Sequence, residues 1–471
     1  MEPFVILGGG PCGLAAAWEL TKQGRKALVL ESEPLVGGLC ATHARDGWRF
    51  DLGGHRFVSA DGELTRWLED MLGHDLLTQE RRSIVLHEGR RFRYPLDARD
   101  LLENLDVGDS LRALAGYAAA RVRRAVSPGQ DRTFEEWVTS RFGRPLYDSF
   151  FGPYTQKLWG IPPSTISADW AAERISLLHL GDAILRMAGA RRPEIRTYAR
   201  QYRYPRFGMG QLYEVMAQRI RARGGEVRTG TRAVGLETEG ARVVAVRAVG
   251  PRGPERIPVG ELLATMPLAE LVRHLRPEAT ALVRRSQTLR FRALVFLNLM
   301  LRRRNFSENT WMYVASGAFA TSRIQEPKRR SAWMAPDGHT SIMLEIPCDV
   351  GDATWGASTA ELQARMGKEL RDLGFVVDDV LAAFTVRVEH AYPIYHVGYD
   401  EDRRAMLAEV ARFANVRTAG RQGLFRYVFM DAAMHMGIEA ARQMMSGERA
   451  PEVLDAIGRA QGVLETRALT A

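Results

Sequence analysis

The run Gly8-Gly9-Gly10-Pro11-Cys12-Gly13 sets glycines at the spacing G-x-G-x-x-G, and Glu31 closes the next apolar stretch. Together these residues can hold a dinucleotide. Gly8 allows a tight turn, Gly10 lets backbone approach a pyrophosphate, and Gly13 permits a helix to pack closely on a strand. The start of that helix offers free N–H groups and a positive dipole to the phosphates. Glu31 can accept both ribose hydroxyls and would oppose a 2′-phosphate, so FAD or NAD is expected rather than NADP. Other reactive groupings are missing. Cys12, Cys40 and Cys348 are far apart, and His390, His396 and His435 are lone histidines in apolar settings, so neither a metal site nor a disulfide framework is expected. With no Ser-His-Asp, Cys-His or paired-carboxylate arrangement, the reactive chemistry falls to a bound cofactor.

The elements that must position these residues follow from periodicity. Phe4-Val5-Ile6-Leu7 and Lys26-Ala27-Leu28-Val29-Leu30 read as buried strands, with a helix over residues 14–20 between them and Gly24 at its end. A second set begins near residue 210. Leu212, Val215, Met216 and Ile220 share one helical face, Glu226-Val227-Arg228 starts a strand, and Val243–Val246 and Leu262–Ala264 are further strands. A third set is a strand from Asn415 and a helix from about Ala432. Residues 61–210 read as mostly helical, from Leu64/Trp67/Leu68/Met71, Leu111/Leu114/Ala115/Ala118 and Phe134/Trp137/Val138. Residues 285–400 hold strands over 293–299, 341–346 and 383–388, with a helix over 358–373.

Hydrophobic residues make up 46% and charged residues 26% of the 471 positions, a balance that excludes wholesale disorder. The net charge of +9 is spread along the chain rather than gathered in a patch, so nucleic acid is not an expected partner. No apolar stretch reaches the roughly 18 residues of a spanning helix, and no signal-peptide pattern opens the chain, so a cytoplasmic protein is expected. The segment 101–126, with Arg112, Arg121, Arg123 and Arg124, reads as a core-facing helix with a solvated basic end rather than one lying on lipid. The expected partner is a small-molecule substrate; the sequence does not indicate an oligomeric state.

The continuation Glu31-Ser32-Glu33-Pro34-Leu35-Val36-Gly37-Gly38, followed by Asp51-Leu52-Gly53-Gly54-His55, resembles the FAD-binding opening of the amine oxidase superfamily. That superfamily includes protoporphyrinogen oxidase, phytoene desaturase and UDP-galactopyranose mutase. The resemblance implies an α/β fold with a discontinuous Rossmann-type FAD-binding domain of the amine-oxidase type. This domain would be interleaved with a mixed helical and antiparallel-sheet substrate domain. Residues 1–60, 211–284 and 405–447 would form the FAD domain, 61–210 a mainly helical insertion, 285–404 a sheet-containing substrate domain and 448–471 a C-terminal tail. The cofactor contacts it implies are Gly8, Gly10, Pro11, Cys12, Gly13, Glu31, Ser32, Gly38 and Leu39. Gly54 and His55 would lie near the isoalloxazine, Val234 beside the adenine, Met266 in the second nucleotide-proximal block, and Gly420, Arg421, Met430 and Asp431 in the third.

Several pieces resemble the mutase more narrowly. Phe150 to Gly160 is similar to its sugar-nucleotide segment and offers Tyr154 and Trp159 as substrate contacts. Arg323 lies in a segment similar to the one carrying an active-site arginine, Tyr392 in a similar tyrosine-proline segment, and Arg421 and Tyr427 in a similar closing motif. His55, Arg323, Tyr392 and Arg421 are the catalytic candidates; Tyr154, Trp159, Arg323, Tyr392 and Tyr427 are the substrate-binding ones. His55 against the flavin could tune the ring or relay a proton near neutral pH. Val428-Phe429 departs from the mutase pattern, which has a tyrosine and an acid there, and Ala432 replaces its usual glutamine. Glu345-Ile346-Pro347-Cys348 looks more like the protoporphyrinogen-oxidase branch. The expected enzyme is an FAD-dependent oxidoreductase passing hydride from a sugar or nucleotide-sugar-like anionic substrate to flavin N5. The alternative is a mutase-like isomerase in which reduced FAD acts as nucleophile without net redox.

Overall fold

The computed structural model describes residues 3–59, 61–94, 106–126, 129–174, 201–276 and 278–459. Five short strands form a wholly parallel sheet in the order Val416–Thr418, Glu261–Ala264, Phe4–Leu7, Ala27–Leu30 and Glu226–Arg228. Val5 pairs with Leu28 on one side and Leu262 on the other, so strands distant in sequence close one sheet. All four residues of Ala27–Leu30 and three of Phe4–Leu7 are buried, as strands covered on both faces require. The helix Pro11–Lys22 leaves the first strand with proline in its first turn. The helix Met430–Ser446 lies against it so closely that a Cβ on Gly437 would stand 2.0 Å from the Cys12 carbonyl oxygen.

A second, seven-stranded sheet runs in the order Val380–Pro393, Phe291–Leu301, Thr340–Cys348, Arg323–Gln325, Trp311–Val314, Ser83–His87 and Arg90–Arg93. It is antiparallel except where Trp311–Val314 pairs in parallel with Ser83–His87. Phe291–Leu301 and Thr340–Cys348 are its buried centre. The helix Thr359–Asp372 begins at a reciprocal cap between Ser358 and Glu361 and buries Leu362, Met366 and Leu370 on this sheet's apolar face. Arg232–Glu239, Arg242–Gly250 and Gly253–Pro258 form a separate antiparallel meander.

Two regions differ from the sequence expectation. Among its described residues the stretch 61–210 contributes four strands, Leu76–Glu80, Ser83–His87, Arg90–Arg93 and Gln201–Pro205, because its short β-branched and aromatic runs find edges to pair with. Residues 451–459, assigned to a tail, form the helix Pro451–Arg459. Its Asp455 receives hydrogen bonds from Arg403 at 2.8 Å and Arg426 at 3.3 Å, and Leu454 is buried. Residues 460–471 of that tail, residues 101–105 of the basic helix and residues 175–200 lie outside the described residues. Among the described residues no helix is long and apolar enough to cross a membrane, and no three His, Cys, Asp or Glu side chains converge as metal ligands would.

Candidate active site

A cleft of about 670 Å³ runs from the glycine motif, along the end of the parallel sheet, to the face of the seven-stranded sheet. At its first end Gly8 adopts φ +109°, and a Cβ there would stand 2.3 Å from the Thr265 hydroxyl oxygen. Gly13 touches the turn from inside: a Cβ on it would stand 2.0 Å from the Gly8 carbonyl oxygen, so the helix sits on the strand with no room for a methyl group. Gly10 faces Gly38, whose Cβ would lie 3.3 Å from the Gly10 Cα, and Gly37 N–H donates to the Gly9 carbonyl at 2.8 Å. The two glycine loops therefore stand backbone to backbone at the cleft wall. No side chain caps the helix Pro11–Lys22 and no acid occupies its first turn, which leaves its N–H groups to an anion.

Glu31 ends the second strand. Its Oε2 accepts the Gly9 N–H at 2.6 Å and its Oε1 the Glu33 N–H at 2.8 Å; burial raises its pKa against those two bonds. This turn, uncapped helix and buried acid fit a dinucleotide with free ribose hydroxyls. Pro11, Cys12, Ser32, Leu39, Met266, Gly420, Met430 and Asp431 also line the cleft, whereas Val234 does not. Val234 is 44% exposed on the meander, and the cleft is reached instead by its neighbours Thr231, Arg232 and Ala233.

At the other end Gly54, His55, Arg323, Tyr392, Arg421 and Tyr427 come together. A Cβ on Gly54 would stand 2.6 Å from Arg323 Nη1, so the guanidinium lies against the glycine segment. Arg323 Nη2 is 2.9 Å from both Glu345 oxygens, and the Tyr392 hydroxyl donates to Glu345 Oε1 at 3.1 Å. Burial and this carboxylate hold the Tyr392 phenol well above its ordinary pKa, so it stays protonated. The Tyr392 and Tyr427 rings are nearly parallel at 5.7 Å, and the Arg421 guanidinium lies 4.2 Å from the Tyr427 centroid. Arg421 donates to the carbonyls of Val428 at 2.9 Å and Ala391 at 3.3 Å. Among the described residues no carboxylate pairs with it.

The imidazole of His55 behaves differently from a neutral-pH relay. Burial, then the charges of Arg421, Arg330 and Arg323, push it down to about 3, and its Nδ1 is buried without a hydrogen-bond partner among the described residues. It therefore stands at the cleft as a neutral ring. Trp159 and Tyr154 are set back from the lining. Trp159 is 2% exposed and meets Tyr392 edge-on at 5.8 Å and Trp170 at 4.5 Å, so it buttresses the tyrosine pair. Tyr154 lies near Arg323 and Tyr427, with burial raising its pKa.

Four further residues were not singled out as site residues from the sequence: Glu345, Gln325, Arg330 and Lys157. Glu345 gave a readable signal, an acid inside the apolar run Ile342–Ile346, which a buried strand accepts only with partners. Lys157 Nζ donates to the carbonyls of Val314, Ser316 and Thr321 at 2.5, 2.8 and 3.0 Å, and burial lowers its pKa to about 7. It thereby ties the helix Gly152–Trp159 to the turn that leads into Arg323.

Comparisons with known proteins bear on the family and the fold. The profile of the family described as flavin containing amine oxidoreductase matches residues 11–445. A coproporphyrinogen III oxidase from Propionibacterium freudenreichii subsp. freudenreichii is 23% identical over 450 residues, 84% of this chain and 82% of that protein. A chloroplastic protoporphyrinogen oxidase from Nicotiana tabacum is 26% identical over 167 residues, which is 35% of this chain and only 30% of that enzyme's length. Among solved structures, a reduced UDP-galactopyranose mutase superposes with a TM-score of 0.84 at 21% identity, covering 98% of both chains. A putative protoporphyrinogen oxidase from Exiguobacterium sp. 255-15 gives 0.71 at 19% identity, covering 98% of this chain and 99% of that one. These structures share the fold. With the family profile spanning most of its length, the chain belongs to the flavin-containing amine oxidoreductases and is a flavin-dependent enzyme with FAD as its cofactor.

Proposed function

We propose that the protein is an FAD-dependent oxidoreductase that removes hydride from a small anionic substrate of sugar or nucleotide-sugar type. The observation that carries this reading is the charge of Arg421. It faces the cleft beside the stacked tyrosines, hydrogen-bonded to carbonyls and, among the described residues, to no carboxylate, while the nearby acid, Glu345, is already matched by Arg323. An ammonium substrate would meet two guanidinium groups here and no unpaired carboxylate beside them, so the family's name does not carry its amine substrates to this chain. A phosphate or carboxylate would find the planar donors it prefers. The Tyr392–Tyr427 pair gives flat apolar faces for a pyranose or a base, and the protonated Tyr392 can hold a hydroxyl. Bound FAD would supply the two-electron acceptor; these residues orient the substrate and exclude water.

The fold shared with the mutase over 98% of both chains, together with Arg421 and Tyr427, supports a second reading, isomerisation on reduced FAD without net redox. Anaerobic mixing with phosphorylated and nucleotide-linked sugars separates the two. Bleaching of the oxidised flavin by a substrate is the expected result. Turnover seen only with dithionite-reduced enzyme, consuming no electrons, would select the isomerase.

A further inference from the structure

A chain of buried side chains joins the glycine segment to Arg323 through the protein interior. Asp51 ends the strand Trp48–Asp51 and immediately precedes Leu52-Gly53-Gly54-His55. Its Oδ1 accepts from the Thr42 hydroxyl at 2.7 Å and the Met209 N–H at 3.0 Å. Its Oδ2 accepts from the Tyr204 hydroxyl at 2.6 Å and from Arg330 Nη1 at 3.2 Å. Arg330, with no exposed surface, donates its other terminal nitrogen, Nη2, to Gln325 Oε1. Because that oxygen is engaged, the amide nitrogen must point the opposite way, and it faces Glu345 Oε2 at 3.5 Å. Glu345 in turn holds Arg323 and Tyr392, the two members that open onto the cleft.

The first pair is an unusual choice for stability alone. Asp51 and Arg330 have no exposed side-chain surface, and a buried ion pair is commonly no more stabilising than well-packed apolar residues of similar volume. What it supplies is direction. Arg330 fixes which way the Gln325 amide is turned, the amide fixes the Glu345 carboxylate, and the carboxylate fixes the guanidinium that lies against Gly54. We propose that Arg330 and Gln325 are positioning residues for the reaction, setting Arg323 at the flavin through Glu345. The proposal rests on the reading above that the guanidinium groups at this end of the cleft meet an anionic substrate, and on the resemblance that sets Gly54, against which Arg323 lies, near the isoalloxazine. Lysine at 330 could still neutralise Asp51, but its single ammonium lacks the fork that reaches Gln325 as well.

The test uses FAD-loaded enzyme and sodium sulfite, whose sulfur lone pair adds to the oxidised flavin ring and bleaches it without any other reactant. FAD content and thermal unfolding are read on the same samples. Arg323→Met tests the underlying reading and is expected to weaken sulfite about tenfold or more, the scale of a lost charged hydrogen bond. Gln325→Leu and Arg330→Lys test the proposal. Each is expected to retain full FAD content while weakening sulfite about five-fold, the factor for one net hydrogen bond. Adding Gln325→Leu to Arg323→Met should cost nothing further, because Gln325 acts through Arg323. The flavin midpoint potential, which needs no ligand, should become more negative in the same order and serves if sulfite binds none of the proteins. The proposal is overturned if Gln325→Leu leaves both sulfite affinity and potential at the wild-type values, if its effect adds in full to Arg323→Met, or if both Gln325→Leu and Arg330→Lys lose FAD. Unchanged values in Arg323→Met alone would instead remove the reading on which it rests.

Discussion

A neutral imidazole beside three guanidinium groups gives His55 a measurable signature. Its pKa is about 3 in the folded protein against the ordinary 6.5, so between those values the unfolded chain binds more protons than the folded one. Stability from this residue is therefore complete above about pH 6.5 and is lost as pH falls toward 3. The slope is about 1.4 kcal/mol per pH unit, which makes the loss about 2 kcal/mol at pH 5. His55→Gln should lose less stability than the wild type on acidification from pH 7 to 5, as measured by denaturant unfolding at each pH. His43, His87 and His390, whose pKa values are also lowered by burial, contribute equally to both proteins and cancel. Parallel curves would contradict the burial of this ring among the arginines. The sequence marks His55, Arg323, Tyr392, Arg421 and Tyr427 by motif, and the fold does gather them at one end of the cleft. It could not show the charge around His55, since all three of its arginines lie about 270 residues or more away along the chain. For the same reason nothing near Asp51 in sequence announces Arg330 as its partner.

At the scale of elements, the contact between the helices Pro11–Lys22 and Met430–Ser446 decides how tightly the cleft is built, since residues at the start of both helices line it. Gly437 makes the contact possible. Replacing it by alanine sets two effects against each other. Alanine favours a helix over glycine by about 1 kcal/mol, but its methyl group would stand 2.0 Å from a backbone carbonyl that has no rotamer to escape into. Overpacking of this kind costs about 1–3 kcal/mol, so the clash should win. Gly437→Ala is expected to unfold at lower temperature and to retain less FAD after gel filtration. A stabilised variant would show that propensity prevails and that the helices are not in backbone contact. The first of these helices was legible from the glycine motif, and the strands Phe291–Leu301 and Thr340–Cys348 from their apolar runs. Ser83–His87 and Arg90–Arg93 were not, because a short strand acquires its identity from the edge that receives it, here Trp311–Val314.

For the whole molecule, the parallel sheet sets the terms of folding and cofactor binding. Phe4–Leu7 is hydrogen-bonded to Glu261–Ala264, which is hydrogen-bonded to Val416–Thr418, so the sheet's middle closes only after contacts across hundreds of residues have formed. Such non-local pairing is entropically costly and slow to nucleate, and no one of the three stretches can complete the parallel sheet on its own. FAD held by the turns at the ends of these strands would bind the folded state alone. At one hundred times its Kd it would add about 2.7 kcal/mol of stability, and that stability should reach all three stretches at once. Amide hydrogen exchange read by mass spectrometry, with and without FAD, checks this. On removal of FAD, peptides covering residues 4–7, 261–264 and 416–418 should lose protection together and by similar factors. Loss confined to residues 4–7 and the adjoining glycine turn, with 416–418 still protected, would mean that the C-terminal strand and its helix hold together as a separate unit and that the sheet is not the cooperative frame of the FAD site.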